Sequence, residues 1–352
     1  MPAAVSSRKN KGKARAAPEK VSPAMPLGKQ LAHTDKAVRD RAVQGLVAFL
    51  SRGTYVDEES GESSTGYVPL SDSEMAKLWK GLFYCFWMSD KPLVQQALAA
   101  DLAELLLQIN PSSSSGSSKE DNQLTAALGF LKGFWQAIVR EWTGVDRLRM
   151  DKFYLLMRRY VNATFRLLAR HGWSKEAIDG VNEILSSKTG PLTWEDRSVP
   201  SSLSTHLSDI YLDELDKVLG LPEVNAQPAC PLVALLGPHT TLLARTPTAT
   251  VHTRIYTSLF QPLLNALALA SDAERPAKRT KTEEPVYPHI IMGCCTGPQG
   301  VEERVGASEL RRDVLQGLFR AAADPQANEA DRRKIYKVWR EEGGADDDDD
   351  DE

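Results

Sequence analysis

The chain has 352 residues, of which 42% are hydrophobic, 7% aromatic and 26% charged; this excludes a wholly disordered or fibrous polypeptide and predicts about two domains or one long one. The formal charge of −4 conceals a basic start and an acidic end, since residues 1–25 carry six bases against one acid and residues 341–352 carry nine acids and no base. Four cysteines without CxxC spacing exclude a disulfide scaffold or zinc ribbon, and no apolar run approaches the roughly 20 residues of a membrane span, so the expected setting is a reducing, intracellular one away from membranes.

Helical periodicity dominates the pattern. Thr34 is placed to cap a helix in which Val38, Ala42, Leu46 and Leu50 recur every four residues. After a Gly-, Ser- and acid-rich loop over 51–70, Ser71 and Glu74 form an S-x-x-E capping box. It opens a helix whose apolar face holds Met75, Leu78, Trp79, Leu82, Phe83 and Phe86. Asp90 followed by Pro92 reads as the N-cap and first turn of the next helix, which continues through Leu98, Leu102, Leu105 and Ile109 to Asn110-Pro111.

A serine-rich linker over 112–118 precedes helical segments at about 123–142, 146–171, 175–187 and 203–219, the last stopped by Gly220-Leu221-Pro222. Beyond 222 the pattern weakens. Apolar helices are expected at about 231–243 and 251–270, an extended stretch at Val286–Met292, and helices at about 308–323 and 328–341. The predicted fold class is all-α, either a HEAT- or armadillo-like α-solenoid or an irregular stacked helical bundle. The expected division is a disordered basic arm (1–25), a helical domain (26–220), a helical extension (221–270), a basic proline-containing loop (271–288), a mainly helical C-terminal extension (289–341) and an acidic tail (342–352).

Signatures of catalysis are missing. The sequence holds no G-x-x-x-x-G-K-[ST], no G-x-G-x-x-G after a strand, no G-x-S-x-G and no H-E-x-x-H, and its six histidines are scattered singly, as surface or capping residues would be. No enzyme activity and no cofactor are expected. In SDIYLDELDKV, the i, i+4, i+7 spacing puts Asp209, Asp213 and Asp216 on one helical face, with Glu214 beside them. Such carboxylates suit a solvated or partner-facing acidic stripe; the remote alternative is a Mg²⁺ cage for nuclease chemistry.

The segment 146–171 carries seven bases, Arg147, Arg149, Lys152, Arg158, Arg159, Arg166 and Arg170, against Asp146 and Asp151. At about 100° per residue, Lys152, Arg159, Arg166 and Arg170 fall within an arc of roughly 40°. A cationic stripe of this kind attracts phosphates or an acidic partner, or else pairs with acids of neighbouring helices. Two further basic clusters, Arg8, Lys9, Lys11, Lys13 and Arg15, then Arg275, Lys278, Arg279 and Lys281, have the form of nuclear-import signals read by an import receptor.

Four blocks carry a family resemblance: Leu31–Leu50, Lys77–Ala99 (KLWKGLFYCFWMSDKPLVQQALA), Phe134–Val161 (FWQAIVREWTGVDRLRMDKFYLLMRRYV) and Asp209–Val218 (DIYLDELDKV). In order and wording they resemble the nucleolar ribosomal-RNA-processing protein 1 family over about residues 27–220, and the match fades after 222. The resemblance implies a non-catalytic nucleolar factor acting on early precursors of the large ribosomal subunit (pre-60S) and on processing of the internal spacer RNA. It also implies partners among other large-subunit assembly factors, including Brix-domain and WD-repeat proteins, and contact with pre-rRNA. A protein-only adaptor, gripping basic partners through the acidic surface and touching no RNA, is the alternative. Within the blocks, Trp135 and Trp142 lie seven residues apart and are expected in the core.

Overall fold

The structure is a computed structural model that describes residues 27–31, 33–52, 68–111, 118–225, 228–274, 286–295 and 303–343. The basic clusters at 8–15 and 275–281 and the acidic run at 344–352 lie outside the described residues. Helices α1 to α3 span Leu27–Leu31, Lys36–Gln44 and Leu46–Arg52. The single helix expected from Thr34 is therefore two, broken at Gly45. Its cap is Asp35, whose carboxylate accepts from the Ala37 N–H at 2.9 Å, while the Thr34 carbonyl accepts from Arg39.

Helix α4 (Asp72–Trp87) begins at the Ser71–Glu74 capping box, with both halves formed. Helix α5 (Pro92–Gln108) starts one residue later than expected. Lys91, not Asp90, is its N-cap, without a side-chain bond, because Pro92 takes the first helical position. Helix α6 (Lys119–Glu141) starts earlier than expected, at a box made by Ser118 and Asp121. Then come α7 (Arg147–Arg170), α8 (Lys175–Ser186), α9 (Ser201–Leu219), α10 (Pro222–Asn225) and α11 (Leu232–Arg245).

The helix expected at 251–270 is interrupted. It consists of α12 (Ala249–Ile255), a π-helical stretch at Tyr256–Phe260 and α13 (Gln261–Glu274). The extended stretch expected at Val286–Met292 is instead helix α14 (Pro288–Gly293), followed by α15 (Ala307–Ala323) and α16 (Glu329–Glu341). Two residues each of β1 (Cys230–Pro231) and β2 (Cys294–Cys295) pair in parallel, and all four cysteines are buried free thiols. Among the described residues no helix is long and apolar enough to cross a membrane.

The helices stack in two layers, a solenoid-like all-α arrangement. In one layer α4 packs on α6, α6 on α8, α8 on α11 and α11 on α15; in the other α5 packs on α7, α7 on α9 and α9 on α12. In the second layer α5, α7 and α9 run in the same direction. Along the α5–α7 seam, Lys152 reaches the Ser89 carbonyl, the Tyr160 hydroxyl donates to Leu102 O at 2.8 Å, and Arg170 donates to Leu107 O.

The core between the layers is aromatic. Phe134 and Tyr160 stack with ring centroids 3.8 Å apart, and Trp79 packs on Phe130, Phe134 and Tyr160 while its indole N–H donates to Phe130 O at 3.0 Å. Gly133 makes room for that indole: a Cβ there would sit 2.3 Å from the Trp79 ring. Trp135 and Trp142 are both buried, as their spacing requires.

Candidate functional site

Helix α7 carries the cationic stripe, and Asp146 caps it by accepting from the Arg149 N–H at 3.1 Å. Its bases divide between two seams and the solvent. Lys152 is 5% exposed, and its ammonium donates to Trp87 O at 2.7 Å and Ser89 O at 2.9 Å, tying α7 to the α4–α5 turn. Burial pushes its pKa down, against the pull of Asp90. Arg166 makes a bidentate pair with Glu104 at 2.8 and 3.1 Å, and Arg170 reaches Leu107 O at 2.6 Å, satisfying a carbonyl of the last turn of α5. Three of the four residues in the predicted arc thus lie along the α5 seam, and Arg159 alone of the four is exposed without an ion pair or hydrogen bond among the described residues.

On the other side, Arg158 donates to Glu214 at 2.9 Å and stands 3.8 Å from Asp213. Arg149 pairs with Asp146 and lays its guanidinium 4.8 Å from the Trp87 ring centroid. Arg147 is exposed and unpaired among the described residues.

The acidic residues of α9 diverge. Glu214, 4% exposed, accepts from Arg158, from the Asn162 amide at 3.0 Å and from Lys217 at 2.7 Å. Asp216 accepts the backbone N–H groups of His289 and Ile290, both at 2.9 Å, and so caps α14 from outside that helix. Asp209 pairs with Arg254 at 2.8 Å, and Asp213 stays half exposed. The Mg²⁺-cage alternative is corrected by this geometry. Asp209, Glu214 and Asp216 turn to α12, α7 and α14 in turn, and among the described residues no three His, Cys, Asp or Glu side chains are grouped to hold a metal.

Two histidines expected at the surface are in the core. His252 places Nδ1 2.9 Å from Leu243 O and 3.3 Å from Asp331. His239 is 0% exposed, its ring 4.4 Å from that of Tyr211 with both nitrogens unpartnered, and desolvation pushes its pKa down to about 3. The unfolded chain binds this proton below about pH 6.5 and the folded chain excludes it, so stability present at neutral pH falls as pH drops from about 6.5 towards 3, by about 1.4 kcal/mol per unit. In urea titrations His239→Leu is expected to flatten the stability profile between pH 6.5 and 4.5. An unchanged slope would assign the acid sensitivity to other groups.

The profile of the Nop52 family of nucleolar proteins matches residues 22–289. The chain belongs to the Nop52 family. Over 248 residues it is 34% identical to mouse ribosomal RNA processing protein 1 homolog A, an alignment covering 70% of this chain and 44% of that relative. It is 37% identical over 220 residues to human homolog B, covering 61% and 26%, and 30% identical over 352 residues to human homolog A, covering 90% and 70%. The chain thus spans less than half the length of the mouse homologs A and B that it matches, 44% and 36%. The Nop52 region extends past 222, where the sequence blocks fade, and takes in α10 to α13; the α9–α14 contact through Asp216 straddles its end.

Proposed function

We propose that this chain is a non-catalytic scaffold of nucleolar ribosome biogenesis, acting on early pre-60S particles and on processing of internal spacer RNA. The match of the Nop52 profile to residues 22–289 carries this reading. It is supported by relatives named for ribosomal RNA processing and by a helical stack whose clustered carboxylates hold its own elements together. The partners are other large-subunit assembly factors, of the Brix-domain and WD-repeat classes, and an import receptor reading the clusters at 8–15 and 275–281. Arg147 and Arg159 are the α7 cations left for pre-rRNA, being exposed and unpaired among the described residues. The adaptor alternative through acidic surfaces is less favoured, because Glu214 and Asp216 are engaged inside the chain.

Epitope-tagged protein is expected to co-sediment with large-subunit precursors on sucrose gradients, and its depletion to accumulate spacer-containing pre-rRNA. Sedimentation as free protein with unchanged precursor levels would overturn the scaffold.

A further inference from the structure

We infer that Cys230 and Cys294 form a reversible disulfide site, closed by hydrogen peroxide, that fastens the segment 286–295 to the helical stack. The site stands independently of the scaffold role proposed above.

The segment is held at both ends of α14. At its start, Asp216 of α9 accepts the His289 and Ile290 amides, and the His289 ring lies over Gly220, where a Cβ would come within 2.8 Å of it. At its end, β2 pairs with β1, and the Val305 N–H donates to Cys294 O at 3.2 Å. A helix of six residues does not hold itself in water, so these end contacts decide whether the segment stays docked.

The β1–β2 ladder sets thiol opposite thiol. Cys230 faces Cys294 in register, and Pro231 faces Cys295. Neighbouring strands run about 4.8 Å apart, inside the roughly 4.4–6.8 Å between Cα atoms that a disulfide requires. Opposed residues put their side chains on one face of the ladder, while the next residue along each strand points to the other. Cys295 accordingly turns its sulfur to Ala229 O at 3.7 Å, and Cys85 lies on α4 beside Arg39. Cys230 and Cys294 are both 0% exposed, and burial, together with the hydrogen-bonded Cys294 thiol beside it, pushes the Cys230 pKa up. Buried thiols react slowly, so the pair stays reduced in a reducing setting and closes under sustained peroxide.

Peroxide oxidises one thiol to a sulfenic acid and is itself reduced, releasing water. The other sulfur attacks the sulfenic sulfur, the S–S bond forms, and a second water leaves. The bond closes a long loop from β1 through α11 to α14, which stabilises the folded chain chiefly by restricting the unfolded one.

The test treats the reduced full chain, freed of reductant, with hydrogen peroxide under native conditions and maps it by non-reducing peptide mass spectrometry. A peptide pair joining Cys230 to Cys294 is expected, with loss of two of the four thiols and a rise in Tm of about 5 °C or more, all reversed by dithiothreitol. Cys294→Ala should abolish the link and the rise, and Cys295→Ala should keep both. In urea the same treatment should lose the preference for this pair. A bond joining Cys294 to Cys295, equal preference in urea, oxidation to sulfinic or sulfonic acid without a bond, or survival of all four thiols overturns the proposal. A Cys230–Cys294 bond that leaves Tm unchanged overturns the fastening. Should an alanine variant fail to fold, the map of the unaltered chain still decides the pairing.

Discussion

Trp79→Ala is expected to lower the unfolding free energy by about 3–5 kcal/mol, the range for emptying an aromatic site in a packed core. The indole is 3% exposed, touches the rings of Phe130, Phe134 and Tyr160, and fills the gap opposite Gly133. Its loss also leaves the Phe130 carbonyl without the indole donor. Equilibrium urea unfolding followed by far-ultraviolet circular dichroism measures the change. A loss under about 1 kcal/mol would mean that α4 and α6 do not meet through this ring.

Lys152→Met is expected to cost about 2 kcal/mol, far more than replacing an exposed cation, because the ammonium serves the Trp87 and Ser89 carbonyls, which methionine cannot. The methionine keeps most of the stem's volume, so the loss isolates the polar contacts. Arg159→Glu is the comparison: on the same face but exposed and unpaired among the described residues, it should change stability by no more than about 0.5 kcal/mol. Equal effects from the two substitutions would mean that the Lys152 ammonium does not hold α7 to the α4–α5 turn.

The two cases show what the sequence could and could not tell. Helix α7 was legible as an amphipathic helix, since its apolar and charged residues alternate with helical period and Asp146 sits where a cap belongs. The role of its charged face was not legible. Glu104 lies 62 residues before Arg166, Glu214 lies 56 after Arg158, and Lys152 and Arg170 bond to backbone carbonyls that leave no mark in side-chain composition. A similar limit explains α14. Pro288 opens it, but Asp216, which caps it, lies 73 residues before the His289 amide it accepts from, so the local pattern at Val286–Met292 reads as extended. Local signals with both parts nearby came through, as at Ser71 and Glu74. Where neighbours compete for one role, as Thr34 and Asp35 do, spacing cannot choose; the side chain that reaches the Ala37 amide does.

The common direction of α5, α7 and α9 also gives their layer a polarity. Peptide dipoles reinforce within that layer, but α4 and α6 end at the rim where α5 and α7 begin, so each rim carries helix N-termini along one layer and helix C-termini along the other. Whatever assembles across either rim therefore meets free N–H groups on one layer and free carbonyls on the other, and the two layers can be told apart by the sign of partner they accept.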